Sequence, residues 1–274
     1  MRDRERLAVE DARLQTVVKS NELVQRSRYK LSLLEQKIVL FLISKIRPED
    51  EAFHEYQFHM RDLCQLMGIS VNPKNYKNFR DAIQKLSDKS FWVETDTQEM
   101  LCRWVLDATI TKGDGTVKIR LDDKLKPYLL QLQQQFTAFS LEYVLLMQNK
   151  YSIRIYELLK SYEYLTIYTV SVDEFKQRIQ SASYTAYKDF RINILDPAIE
   201  EINKYTDLDI FVDPIREGHA IRWLEFSIYP KTGIGMEYAD EIRRNAFDVA
   251  DRADVERLKN KMCKKLAQKA AKKL

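Results

Sequence analysis

The chain of 274 residues is poor in the residues that build catalytic and metal centres. Its three histidines are His54, His59 and His219, and this spacing suits neither an HExxH zinc site nor the closely spaced histidine pair of a rolling-circle nickase. The three cysteines are widely and irregularly spaced, which fits neither a disulfide framework nor a zinc motif. We therefore expect no bound metal, and reduced thiols in a cytoplasmic protein.

Glycine and proline are also scarce, with six residues of each. Such low counts argue against sandwiches, barrels and glycine-rich nucleotide folds, and favour long helices joined by short turns. The two Gly-X-Gly pairs, at residues 113–115 and 233–235, lack the lysine of a Walker loop. The most apolar run, residues 38–43, is too short to span a membrane. No nucleophile or carboxylate pair stands beside a suitable partner, so we expect no catalytic residue, no cofactor and no enzyme activity.

The net charge of +4 is unevenly distributed along the chain. Residues 256–274 hold eight basic residues against one acidic residue, so this segment carries +7 and the first 255 residues carry −3. A nucleic-acid surface on the body of the protein must therefore be a local patch. Lysine-rich ends are usually solvated tails, and non-specific attraction to DNA through counterion release is the functional alternative.

An internal repeat organises the sequence. The pentapeptide Tyr-Lys-Asn-Phe-Arg at residues 76–80 recurs 111 residues later as Tyr-Lys-Asp-Phe-Arg at residues 187–191. The segments around both copies follow one order: an apolar helix, a short extended piece, a small helix, the long helix that carries the repeat, and a hairpin. This is the order of a winged helix. The sequence therefore predicts an α+β fold of two tandem winged-helix domains, each a helix-turn-helix with a β-hairpin wing, followed by a helical basic C-terminal tail.

Local signals support both copies. In the first, Ser32 and Glu35 have the spacing of a capping box at the start of the apolar helix, and Gly68 is suited to end the small helix. The hairpins are predicted to turn at residues 112–115 and 216–219. Pro197 lies inside the second long helix and removes a backbone hydrogen bond there, so we expect a kink or short break near Asp196.

The second helix of a helix-turn-helix enters the major groove, with the surface opposite its core stripe facing DNA. An arginine such as Arg191 can make a bidentate contact to guanine, which is worth about 1–3 kcal/mol of discrimination. In the first domain we expect weaker contacts, mostly to phosphates. The candidate DNA-binding residues are Lys74, Lys77, Arg80 and Lys85 in the first domain, Tyr184, Thr185, Tyr187, Lys188 and Arg191 near the start of the second long helix, and Arg216, His219 and Arg222 at the second wing.

A simpler interpretation competes for each of these side chains. Basic residues on the outer face of an amphipathic helix usually form only a solvated surface. The repeat and the paired wings favour DNA binding, whereas no single side chain does. The aromatic residues of the repeat, Tyr76, Phe79, Tyr187 and Phe190, are predicted to pack in the core and not to stack on bases.

Three separated motifs resemble the Rep_3 family of plasmid replication initiators. Residues 21–24 followed by residues 29–37 are similar to the opening signature of that family, and residues 150–159 to the start of its second winged helix. Phe190-Arg191, Leu195, Pro197-Ala198 and residues 201–203 resemble its recognition-helix stretch. The similarity covers residues 20 to 230.

The resemblance implies a function. Members of this family bind direct repeats (iterons) at a plasmid origin as monomers, help to open the duplex and recruit host replication proteins such as the initiator and the helicase. Many also repress their own promoter as dimers joined mainly through the first domain. The resemblance implies that Lys188 and Arg191 lie where the base-contacting residues fall. This chain departs from the family after Arg191, where Ile192 and Asn193 stand in place of a basic run.

We divide the chain into four segments: residues 1–19, a charged segment with the composition of a helix at a dimer contact; residues 20–136, a first winged helix for dimerisation and phosphate contacts; residues 137–236, a second winged helix for the main iteron recognition; and residues 237–274, the helical lysine-rich tail. Three alternatives stay open. They are a tandem winged-helix transcription regulator without an origin role, a nicking replication enzyme, and an interaction scaffold that does not bind DNA.

Overall fold

The chain folds into two units that repeat one order of elements. The structure is a computed structural model, and it describes the backbone of residues 9–271 and the side chains of residues 9–253 and 256. Each unit packs helices against a three-stranded antiparallel sheet, and one continuous apolar core extends through both units. The predicted α+β fold of two tandem winged helices with a helical C-terminal tail is confirmed.

The first unit is built around a helix that is buried on nearly all sides. The unit begins with β1 (Thr16–Ser20) and α1 (Asn21–Arg26), and the buried helix is α2 (Leu33–Ile43). The Ser32 hydroxyl accepts a hydrogen bond from the Glu35 amide at 3.3 Å, and the Glu35 carboxylate accepts one from the Ser32 amide at 2.8 Å. These reciprocal bonds satisfy two free donors of the first turn and form the predicted capping box.

The elements after α2 complete the first winged helix. In the three-stranded sheet of this unit, the second wing strand lies between the first wing strand and the strand that precedes the small helix. The elements are β2 (Tyr56–His59), α3 (Met60–Leu66), α4 (Pro73–Asp88), the hairpin strands β3 (Ser90–Glu94) and β4 (Glu99–Arg103), the wing strands β5 (Val105–Ile110) and β6 (Thr116–Leu121), and then α5 (Lys126–Leu129), β7 (Phe136–Ser140) and α6 (Glu142–Leu145).

Strand β1 corrects the expectation of a charged helix over residues 1–19. Residues 9–13 are helical, but Thr16–Ser20 pairs antiparallel with β7, with Thr16 opposite Ser140. The segment is a strand because Val17 is fully buried against the core and a β-branched pair, Val17-Val18, suits the pleated surface. Residues 1–8 lie outside the described part of the chain. The pairing also joins residues on both sides of the domain boundary that we drew at 136/137.

The second unit repeats the order helix, strand, helix, helix, hairpin. The sheet of this unit has three strands, and the last of them along the chain lies in the middle. Leu224, Phe226 and Ile228 of that middle strand are fully buried. The elements are α7 (Lys150–Lys160), β8 (Ile167–Ser171), α8 (Val172–Arg178), α9 (Tyr187–Phe190), a π-helical turn (Arg191–Leu195), α10 (Asp196–Tyr205), β9 (Leu208–Glu217), β10 (Ala220–Pro230) and α11 (Ile234–Ala271).

Pro197 does not break the second long helix. The chain stays helical from α9 through the π-helical turn into α10, and we call residues 187–205 the composite helix. The Asp196 amide donates to the Arg191 carbonyl, five residues earlier, as a π-helix requires. This wider turn makes room for the proline ring, which in an α-helix crowds the carbonyl four residues earlier, that of Asn193. The chain is therefore not broken near Asp196, and the irregularity expected there takes the form of the π-helical turn.

A buried ionic network joins the two units. The Lys19 ammonium of β1 lies 2.7 Å from a Glu157 carboxylate oxygen of α7, and both side chains are almost fully buried. Tyr29 donates its hydroxyl to the same carboxylate at 3.3 Å, and Arg154 donates to the Ser27 carbonyl at 2.9 Å. Proximity of Glu157 raises the pKa of Lys19 although burial opposes it. Breaking such a pair leaves an uncompensated buried charge, which costs about 3–5 kcal/mol, so the network holds β1 against α7.

Helix α11 extends from the second unit back to the first. Its Arg243 is buried and bonds to the Tyr205 carbonyl at the end of the composite helix at 2.9 Å. Further along, the Phe247 ring lies 3.9 Å from the guanidinium carbon of Arg13, and Asp251 bonds to the same guanidinium at 3.1 Å. Helix α11 thus ties the end of the second unit to the N-terminal segment of the first.

Candidate nucleic-acid interface

The composite helix separates an apolar face from a polar one. Phe190, Ile194 and Ala198 are fully buried against the sheet of the second unit. Thr185 before the helix and Lys188 and Arg191 within it are exposed. The sequence predicts these three residues on the outer face, and they lie there in the structure. Their role in binding DNA stays a prediction.

The start of the composite helix is supported from below by α8. The Lys176 ammonium donates to the Thr185 carbonyl at 3.2 Å and lies 5.2 Å from the centre of the Phe190 ring. Tyr184 and Tyr187 are half-buried beside it, and desolvation raises the pKa of the Tyr187 hydroxyl. Lys176 was not among the predicted site residues. It fixes the backbone that carries Thr185, so its contribution is positional.

The second wing meets the start of the composite helix. One groove is lined by Lys176, Thr185 and Tyr187 on the helical side and by Arg216, His219 and Arg222 on the wing side. His219 lies in the two-residue turn after Gly218, whose φ of +62° suits glycine. Arg222 stands at a bulge in β10, between Ile221 and Trp223. Five of the predicted residues are thus brought together in one concave surface.

Arg191 has a partner within its own helix. Its guanidinium Nε lies 3.1 Å from a carboxylate oxygen of Asp196, and both side chains are about half exposed. The same two residues are joined by the i→i+5 backbone hydrogen bond of the π-helical turn, from the Asp196 amide to the Arg191 carbonyl. An exposed pair of this kind is worth about 0–1 kcal/mol, and a base or phosphate can replace the carboxylate at little cost.

The first unit presents a basic helix face of its own. Helix α4 starts after Asn72, whose side chain accepts from the Asn75 amide at 2.9 Å, and Pro73 occupies its first turn. Phe79, Ala82, Ile83 and Leu86 are buried, and the outward side carries four exposed predicted residues: Lys74, Lys77, Arg80 and Lys85.

The turn of the first wing lies against the Tyr76 ring of α4. A Cβ atom placed on Gly115, in the wing turn, would lie 3.0 Å from Cε1 of Tyr76. Tyr76 therefore supports the wing, in agreement with its predicted place in the core. The equivalent repeat residue Tyr187 contacts Phe190 instead, with ring centres 6.4 Å apart. The tyrosines of the two repeat copies thus make different contacts.

The arrangement offers cationic and hydrogen-bonding side chains on helix ends and wings. Within the described part of the chain, no three His, Cys, Asp or Glu side chains come together as metal ligands. No helix among these residues is long and apolar enough to cross a bilayer. The lysine side chains of the tail lie outside the described side chains, so their predicted attraction to DNA stays a prediction.

Comparison with known proteins identifies the family. The family model described as "Initiator Replication protein, WH1" matches residues 16–160, more than half of the chain. The model described as "Initiator Rep protein, WH2" matches residues 171–228. The chain belongs to the Rep_3 family. The first match includes α7, which we describe with the second unit, and the second match begins at Ser171, the last residue of β8. Together the two matches confirm the resemblance carried by the three sequence motifs.

Relatives of the Rep_3 chain agree with this assignment. A "Replication initiation protein" of Escherichia coli is 27% identical over 209 residues, which cover 72% of this chain and 65% of that relative. An "Uncharacterized 27.6 kDa protein" of the same organism is 25% identical over 210 residues, covering 70% of this chain and 86% of the relative. The crystal structure of the Pi initiator protein in complex with iteron DNA has the same fold, with a TM-score of 0.68, 17% identity, and coverage of 81% of this chain and 99% of that one.

Proposed function

We propose that this Rep_3 protein is a plasmid replication initiator that binds directly repeated duplex sites, iterons, at the plasmid origin in the bacterial cytoplasm. The observation that carries the proposal is the groove in which the start of the composite helix meets the second wing. A basic helix end beside a basic wing fits a major groove and its flanking phosphates. The Pi initiator, which has the same fold, was crystallised with iteron DNA.

We assign different tasks to the two sides of that groove. Thr185, just before the composite helix, and Lys188 and Arg191, on the exposed face of that helix outside the groove lining, are suited to contact base edges, with Tyr184 and Tyr187 half-buried at the helix start. The wing residues Arg216, His219 and Arg222 are suited to contact phosphates or the minor groove. The basic residues of α4 contact phosphates, since amide and acidic neighbours at Asn75, Asn78 and Asp81 dilute their charge.

Further steps of initiation belong to the same proposal. The bound monomer helps to open the origin and recruits host replication proteins such as the initiator and the helicase. A homodimer in equilibrium with the monomer, joined mainly through the first unit, represses the protein's own promoter. Membership of the Rep_3 family motivates these steps, and the description of the E. coli relative supports a role in replication initiation alone.

The first test is a binding titration against the origin region of the plasmid, footprinted at two salt concentrations. Protection of evenly spaced direct repeats that survives the higher salt is expected for an initiator. Protection of an inverted repeat at a promoter alone would favour a transcription regulator without an origin role. A chain that protects no sequence at either salt concentration would contradict the proposal.

A second test addresses base recognition by Arg191. Replacement by alanine removes a bidentate contact worth about 1–3 kcal/mol, so specific affinity should fall roughly 5- to 150-fold. Non-specific affinity should fall far less. Asp196→Asn is the matched control, because it frees the guanidinium from its carboxylate partner and should leave specific affinity unchanged or higher. Equal losses on specific and non-specific DNA after Arg191→Ala would show that Arg191 does not read a base.

A further inference from the structure

A wide groove lies at the junction of the two units. The loop between α1 and α2, the end of α4 and the start of α7 form its walls. Basic side chains come from all three walls, and an amide lies at its far end: Arg28, Lys30, Lys85, Lys89, Lys150 and Gln180. Neither the family assignment nor the proposed function accounts for this surface.

The charge of the groove is almost entirely positive. Glu35 is the single acidic residue among the lining residues, and its buried carboxylate is occupied by the Lys89 ammonium and the Ser32 amide. Lys89 is therefore neutralised, whereas Arg28, Lys30 and Lys85 are exposed and have no acidic neighbour in the lining. A groove with four uncompensated cationic side chains, Lys150 included, attracts a polyanion.

The groove also connects the two parts of the candidate interface. Lys85 lies on the same outward face of α4 as Lys77, two turns further along the helix. At the other end, Gln180 precedes Thr185 by five residues, and Arg28 donates to the Gln177 side chain of α8 at 3.1 Å. A path of basic side chains thus runs from α4 into the junction, and amide side chains continue it to α8, which precedes the composite helix in the chain.

We propose that this groove binds the phosphate backbone of duplex DNA between the two segments contacted by α4 and by the composite helix. The ligand is a run of phosphodiester anions, bound without regard to base sequence by Arg28, Lys30, Lys85 and Lys150. The inference rests on the proposed function and extends it to the space between the units. Residues of both units form the walls of the groove. A DNA phosphate backbone bound there therefore joins the DNA contacts of α4 and of the composite helix into one continuous site.

The salt dependence of binding tests the proposal. Each phosphate contact contributes about 0.9 to the slope of log K against log salt, so the triple variant Arg28→Ala/Lys30→Ala/Lys150→Ala should lower its magnitude by about 2–3. The matched control removes the same charge outside the groove: Arg47→Ala/Lys204→Ala/Arg244→Ala, three exposed residues, should change the slope by less than about 1. Circular dichroism and thermal unfolding of both triple variants check that the fold is intact. The single variant Lys30→Ala should lower the magnitude of the slope by about 1.

The slopes are measured on origin DNA and on a duplex of mixed sequence, with hydroxyl-radical footprints of the origin complex. Loss of backbone protection midway between two protected segments, together with the lower slope, supports the proposal. An unchanged slope in the triple variant on both duplexes overturns it. A wild-type protein that does not prefer the origin overturns the proposed function instead, and the slopes on the mixed duplex still decide whether the groove binds phosphates.

Discussion

At the scale of single residues, Lys37 shows how the fold changes the acid–base behaviour of a side chain. Its ammonium is buried in the first unit and donates to the Leu145 carbonyl at 2.6 Å. Desolvation lowers the pKa of Lys37 from 10.5 to about 8, although Glu201 acts in the opposite direction. A lysine whose pKa is lower in the folded than in the unfolded chain destabilises the fold at any pH at which its ammonium is protonated in both.

This shift predicts a rise of stability with pH. Below pH 8, Lys37 is protonated in both the folded and the unfolded chain. Between about pH 8 and 10.5 the unfolded chain binds more protons than the folded chain, so the free energy of unfolding increases with pH. The whole increase is at most about 3 kcal/mol. Urea unfolding of wild type and Lys37→Met from pH 7.5 to 10 measures it, since the difference between the two curves excludes other titrating groups. Lys77→Met, at an exposed position, is the control. Parallel curves for wild type and Lys37→Met would contradict the assigned shift.

The sequence predicted which site residues are exposed, but it did not predict their partners. The helical period of residues 76–86 was sufficient to put Phe79 in the core and Lys77 outside. Contacts such as Lys19 with Glu157 or Arg28 with Gln177 join residues far apart in the chain, and no local pattern encodes them. The junction groove was missed for this reason, because its walls come from three separate segments.

At the scale of elements, the contact between the first wing and α4 depends on a glycine. Gly115 has a φ of +76°, and a side chain there would press on the Tyr76 ring. The backbone cost of an L-residue in this region is about 1–2 kcal/mol, and the collision with the ring adds to it.

A double-mutant cycle separates the energy of the collision with the Tyr76 ring from the backbone cost at Gly115. Gly115→Ala should destabilise the wild-type protein more than it destabilises a Tyr76→Ala background, with a coupling of about 0.5–1.5 kcal/mol from the lost collision. Denaturant unfolding of the four proteins measures it. Gly113→Ala is the control, because open space surrounds that position and its cycle with Tyr76→Ala should be additive. Additivity at Gly115 as well would mean that the wing does not rest on Tyr76.

The order of elements was predictable, and the irregular elements were not. Both winged helices follow from apolar periodicity, the capping box and two glycine-containing turns. The hairpin β3–β4 was missed because its turn contains neither glycine nor proline. Thr95 closes that turn, with its hydroxyl accepting from the Gln98 amide at 3.0 Å. The π-helical turn before Pro197 was missed for a different reason. Sequence rules for proline predict a kink or a break. They do not predict that the burial of Phe190 and Ile194 keeps the helix continuous.

At the scale of the whole molecule, Arg13 joins the N-terminal segment, α3 and α11. Its guanidinium donates to the Gln65 and Leu66 carbonyls at 2.9 and 3.2 Å as well as to Asp251. Helix α11 is thereby fixed against the first unit although it begins in the second. Gly68 lies at the same contact, since a Cβ atom there would approach Ala250 to 3.0 Å.

Removal of this side chain should loosen the attachment of α11. Arg13→Ala should lower the free energy of unfolding by about 2–4 kcal/mol, because it removes a cation–π contact, the bonds to Asp251 and the side-chain donor to the Leu66 carbonyl, whereas the Gln65 carbonyl still accepts from the Gly68 amide. Hydrogen exchange of the α11 amides between residues 243 and 251 should accelerate. Asp251→Asn keeps a hydrogen-bond acceptor and should cost less than Arg13→Ala. Unchanged exchange in α11 after Arg13→Ala would show that the helix is held by other contacts.

The pairing of β1 with β7 has a consequence for the order in which the protein is made. Thr16 pairs with Ser140, so its partner strand is synthesised more than a hundred residues later. At about 5–20 residues per second, the ribosome leaves β1 without that partner for roughly 6–24 s. During this interval β1 is an open strand edge, and the charge of Lys19 opposes its pairing with other chains. The same lysine reaches Glu157 only when α7 has emerged, so the side chain that protects the nascent strand is later buried between the finished units.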